Sequence, residues 1–151
     1  MAELSGSGPT AKPSGGPAPR GTPGLGRGPG RLLVTLYGIF AVGATSRSAF
    51  QLSTRFHEAP LAYVLSAVAA VVYVFITLAL VRGGEGARRA AVVCCAAELA
   101  GVLTVGTWTV LDPAAFPDQT VWSDYGLGYL LFPVILPVTG LVWLRRSRRQ
   151  A

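Results

Sequence analysis

Four apolar runs, each bounded by charged or turn-forming residues, organise the chain from Leu32 onward. The second, Ala59 to Val81, carries no charge over 23 residues, and the fourth, Tyr125 to Leu144, none over 20. The third, Ala90 to Leu111, runs for 22 residues with one charge, Glu98. An α-helix rises about 1.5 Å per residue, so about 20 apolar residues cross a hydrocarbon core of about 30 Å. Helices also satisfy their own backbone polar groups, which lipid requires. The pattern predicts transmembrane helices over about 60–81, 90–111 and 126–144. The first run is uncharged only from Leu32 to Ser46, 15 residues. To span, it must continue past Arg47 to about Leu52, which predicts a first helix over 32–52.

That short first run has a rival reading as a signal peptide. Arg27 and Arg31 would form its basic flank, Leu32 to Val42 its apolar core, and Val42-Gly43-Ala44 its cleavage site. The long tail ahead of it and the three spans behind it favour a true span.

Small residues recur at helical spacing within the runs: Gly38, Ala41, Thr45 and Ser48 in the first, Ala62, Ser66 and Ala70 in the second, Ala97 and Gly101 in the third. Helices in lipid associate through such close contacts and through polar cross-bonds. The fourth run differs, because Pro133 and Pro137 each remove a backbone donor. A kinked or locally unwound helix is expected there, with the two prolines as a candidate hinge.

Composition sharpens the class. Half of the chain is apolar (51%) and 13% is charged, against about 25% charged in ordinary soluble domains. The mean hydropathy of +0.48 agrees. The polar residues gather in residues 1–31, which hold nine Gly and six Pro. Such a segment cannot bury enough apolar surface to offset its ordering entropy, so a disordered basic tail is expected.

The net charge of +6 is unevenly placed. Lys12, Arg20, Arg27 and Arg31 precede the first run. Arg82, Arg88 and Arg89 separate the second from the third, and Arg145, Arg146, Arg148 and Arg149 follow the fourth. With four spans, these 11 of 13 cations lie on one side. Loops 53–58 and 112–124, on the other side, carry Arg55, Glu58, Asp112, Asp118 and Asp124. The positive-inside bias then predicts a cell-membrane protein with both termini cytoplasmic. Trp108, Phe116, Trp122, Tyr125 and Tyr129 cluster near the outer loop, where aromatic belts form. The same placement argues against nucleic-acid binding, since no soluble basic domain presents the charge.

Little in the chain suggests chemistry. Cys94 and Cys95 are adjacent and His57 is the lone histidine, so neither a disulfide framework nor a zinc spacing is present. No serine-nucleophile, phosphate-loop or dinucleotide motif occurs. No catalytic residue, cofactor or metal site is expected, and an enzyme is not. Glu98, near mid-depth of the third run, is the exception, because an intramembrane carboxyl is costly. Its expected partner is Arg47, directly or through Gln51, which makes Arg47, Glu98 and Gln51 the candidate intramembrane polar site. Alternatively Arg47 snorkels outward to the headgroups.

Ser46-Arg47-Ser48, the run Arg55-Phe56-His57-Glu58-Ala59-Pro60-Leu61-Ala62-Tyr63, and Phe116-Pro117-Asp118 through Val121-Trp122-Ser123 carry a resemblance. So do Gly126 to Tyr129, Leu136-Pro137 and Leu141 to Arg146. Together they resemble a family of small actinobacterial integral membrane proteins over about 32–146. The resemblance implies four spans and assigns no activity.

The expectation is thus an all-α, four-helix transmembrane bundle over 32–146 behind a disordered tail. The expected function is a structural or accessory membrane component, with the bilayer, a second copy or another membrane protein as partner. The alternative is a small oligomeric transporter or channel subunit using Glu98 and Arg47.

Overall fold

A computed structural model describes residues 28–149, with side chains as far as Ser147. The tail expected over 1–31 lies outside the described residues as far as 27. From there on the expectation needs correction, because the first helix already begins at Pro29, where proline suits a first helical turn.

The described residues are helical: α1 (Pro29–Thr54), α2 (Pro60–Arg82), α3 (Gly84–Leu111) and α4 (Phe132–Arg149), with 3-10 segments at Pro113–Ala115 and Ser123–Tyr129. α1 and α3 are longer than their apolar runs because polar residues at their ends continue the same hydrogen-bond ladder. Arg47 does not interrupt α1. Gly83 and Gly84, both at positive φ, reverse the chain between α2 and α3.

The bundle is apolar on its outside. Val42, Val68, Val71, Phe75, Leu103 and Val138 are among its exposed side chains. The interior mixes small and polar residues. Along α1 the buried positions Leu33, Tyr37, Ala41, Ala44, Ser48 and Gln51 recur every three or four residues. They meet Ala62, Ser66, Ala69, Ala70 and Tyr73 of α2, the most extensive helix pairing in the molecule. The small residues expected at the α2 interface are therefore buried. In α1 and α3 that holds only in part, since Thr45 and Ala97 face outward.

Among the described residues three helices are long and apolar enough to cross a membrane, and a fourth crossing arises if the bent C-terminal pair counts as one span. That pair is where a kinked or locally unwound helix is expected over 126–144, but the bend lies ahead of the prolines. Ser123–Tyr129 and the helix from Phe132 meet at 96°. From Phe132 to Leu144 the helix rises only about 20 Å, less than a hydrocarbon core of about 30 Å. The break precedes Pro133, and α4 stays α-helical through Pro137. Pro133 sits in the first turn, where a missing N–H costs little.

Candidate functional site

Glu98 lies midway along α3 and is wholly buried. Its neighbours come from α1, α2 and α3 itself. Tyr37 of α1 donates its hydroxyl to Glu98 Oε2 at 3.1 Å, and the same hydroxyl lies 3.6 Å from Cys95 Sγ, one turn earlier on α3. Tyr73 of α2 stands beside Tyr37, ring centroids 6.1 Å apart, and faces the carboxyl without completing a hydrogen bond. Gly140 of α4 closes the cluster: a Cβ there would come within 3.2 Å of Cys95 Sγ. Phe40 links the tyrosines to α4, with its ring 6.0 Å from Tyr73 and 5.4 Å from Phe132.

Trp122, expected at the membrane interface, is buried inside the bundle. Its ring fills the notch at Gly101, where an added Cβ would lie 2.9 Å from the indole. A local network shapes the turn that delivers it. Thr120 N donates to Ser123 Oγ at 2.9 Å, and Trp122 N donates to Thr120 Oγ1 at 3.0 Å. Beyond the tryptophan, Asp124, Tyr125 and Gly126 all adopt left-handed backbone, as do Leu130 and Leu131. Four of these five are not glycine, and such conformations persist only where surroundings impose them.

Here α3 imposes them. Asp124 N donates to Thr109 Oγ1 at 2.9 Å, and the Tyr125 hydroxyl lies 3.0 Å from Thr107 Oγ1. Gly106 lets the Tyr125 backbone approach so closely that a Cβ would sit 2.8 Å from its nitrogen. From Val121 to Gly126 this irregular backbone lies buried or half-buried against the helices, whereas Leu127, Leu130 and Leu131 are exposed. Residues 120–131 thus form a strap that dips into the bundle and returns as α4.

The expected pairing of Arg47 with Glu98 is not what the structure holds. Arg47 donates to the Gln119 carbonyl at 3.1 Å, and its guanidinium lies 5.6 Å from the Tyr129 ring centroid. Gln51 does not bridge to Glu98 either; its Nε2 donates to Asp118 Oδ2 at 3.4 Å. Both side chains tie α1 to the loop that follows α3. The reason is depth: Arg47 and Gln51 lie near the C-terminal end of α1, while Tyr37 lies on the turn level with Glu98. Sequence reasoning missed Tyr37 and Tyr73 as neighbours of the carboxyl and Trp122 as a buried residue. Tyr37 stands one helical turn before Ala41 on the buried stripe, and that spacing was the available signal.

Several groups of Glu98's surroundings remain unsatisfied. Glu98 Oε1, Tyr73 Oη and Trp122 Nε1 are buried without hydrogen-bond partners. Among the described residues no cluster of three or more His, Cys, Asp or Glu could hold a metal ion. Cys95 is buried, Cys94 half-buried, and both are unbridged. His57 is exposed on the α1–α2 turn beside an Arg55–Glu58 pair at 3.9 Å. At the opposite end, Glu85 accepts two bonds from Arg88, at 2.8 and 2.7 Å, and one from Arg89 at 3.1 Å. Arg88 also reaches the Leu144 carbonyl at 3.5 Å and so ties that turn to α4.

No family model matches the chain, and no curated protein or solved structure matches it either.

Proposed function

We propose that this is an integral cell-membrane protein of structural or accessory kind, with four passes, both termini cytoplasmic and Glu98 as the polar pin of its bundle. One observation carries the reading: the Glu98 carboxyl of α3 is wholly buried, bonded to Tyr37 of α1 and faced by Tyr73 of α2. A buried polar group held this way fixes helix register, because sliding any helix by one turn strands the carboxyl in an apolar surrounding. The arginines at the α2–α3 turn and after α4 support the orientation. Membership of the actinobacterial family it resembles is part of the same proposal.

The test is Glu98→Gln in the purified, detergent-solubilised chain. A lowered unfolding midpoint or altered subunit number is expected, while proton flux into liposomes stays the same as for wild type. Unchanged stability with abolished flux overturns the reading. It would favour the second one, a small oligomeric transporter or channel subunit built on Glu98. The unpartnered Glu98 Oε1, Tyr73 Oη and Trp122 Nε1 are the specific support for that alternative. Arg47, engaged with Gln119 and Tyr129, would have no direct part in it.

A further inference from the structure

A cavity of about 210 Å³ opens on the flank of α1, away from Glu98. Ile39, Phe40, Gly43 and Ala44 form one wall and Val121 and Tyr129 of the strap the other, with Arg47 at one end. The walls are almost wholly apolar, and from Ile39 to Arg47 the trough follows α1 for about 12 Å. Its floor is open because of Gly43, where an added Cβ would meet nothing within 4 Å.

The end of the trough carries the charge. A guanidinium has five N–H donors, and Arg47 spends one on the Gln119 carbonyl. The ion pairs among the described residues join Arg55 to Glu58, and Arg88 and Arg89 to Glu85, so no carboxylate neutralises Arg47. Tyr129 lies under the guanidinium and holds it over the trough. Arg47 stands seven residues before the end of α1, about 10 Å along the helix. A long side chain covers part of that distance towards the headgroups.

We propose that this groove binds an anionic phospholipid, with the lipid phosphate on Arg47 and one acyl chain in the trough over Gly43 and Ala44. Charge complementarity and the chain-shaped apolar trough select this occupant. A planar guanidinium donates to phosphate oxygens in pairs, a strong charge-assisted contact. An alkyl chain fills a narrow apolar trough without stranding a polar group. The proposal rests on the membrane reading above. Failure of that reading has its own signature, a chain that stays dispersed without detergent.

The test is native mass spectrometry of the detergent-solubilised chain offered phosphatidylglycerol, phosphatidylcholine or inorganic phosphate. Wild type should retain phosphatidylglycerol over phosphatidylcholine and should not retain phosphate alone. Arg47→Gln should reduce phosphatidylglycerol retention about tenfold, to the phosphatidylcholine level, and Arg47→Lys should keep part of the preference. Gly43→Leu fills the trough from an open position without touching the bundle interior, so it should reduce retention of both lipids while the unfolding midpoint holds. Equal retention of phosphatidylglycerol by wild type, Arg47→Gln and Gly43→Leu overturns the site. So does retention of phosphate alone. A Gly43→Leu variant that loses subunits but keeps its lipid also overturns it, since a second copy of the chain would then be the occupant.

Discussion

The α1–α2 pair and the strap with α4 solve the same problem in opposite ways. Both must place a chain in an apolar surrounding with every backbone group satisfied. The first pair uses two uninterrupted helices of 26 and 23 residues, joined by a short exposed turn. Small side chains line their contact, and no backbone strain is needed. The C-terminal part instead breaks at Ser123–Leu131 and places five residues in left-handed backbone. It borrows Thr107 and Thr109 from α3 for its polar groups. Regular helices are interchangeable in lipid, whereas an irregular segment depends on particular neighbours. The strap's neighbours are three glycine notches: Gly101 for Trp122, Gly106 for Tyr125 and, within the strap, Gly126 for Pro133.

The contrast orders the expected effects of substitution, read as changes in the free energy of reversible unfolding in mixed micelles. Gly126→Ala should be the worst, at about 3 kcal/mol, because strain and overpacking combine there. Its φ of +76° disfavours any side chain, and a Cβ would lie 2.7 Å from Pro133 Cγ. Gly106→Ala should cost about 2 kcal/mol by overpacking alone, since the Tyr125 backbone that it meets cannot rotate away.

Smaller effects separate the buried polar groups. Tyr37→Phe should cost about 1 kcal/mol, since the Glu98 carboxyl loses its donor. Ser66→Ala, in the α1–α2 contact, should stay within about 0.5 kcal/mol of wild type, because its hydroxyl is buried without a partner to lose. A Ser66→Ala variant as damaging as Gly126→Ala would erase the distinction between the two halves. If Gly106→Ala proves neutral, the strap is not held by its notch in α3.

The two polar sites differ in the same sense. Around Glu98 the interactions cross between helices that are far apart in sequence, Tyr37 and its acceptor being 61 positions apart. At Arg47 the partners are a loop carbonyl and a ring at the edge of the bundle. Losing the first set should loosen the packing of several helices, and losing the second should free only the loop after α3 and the groove.

What the linear order of residues determined is the set of helices and the separation of charge. Runs of about 20 apolar residues have few alternatives to helix in lipid, so α2, the apolar part of α3 and the extension of α1 past Arg47 were all legible in advance. The cost of an intramembrane carboxyl likewise singled out Glu98. Tertiary structure alone decided what meets that carboxyl. Helical periodicity gives the face of a residue but not the rotation or depth of the helix opposite, so Tyr37 and Arg47 could not be told apart as partners. It also decided where the fourth run breaks. Two prolines announce that a helix is weakened, but the break settled ahead of them, where the threonines and glycines of α3 could receive an irregular backbone.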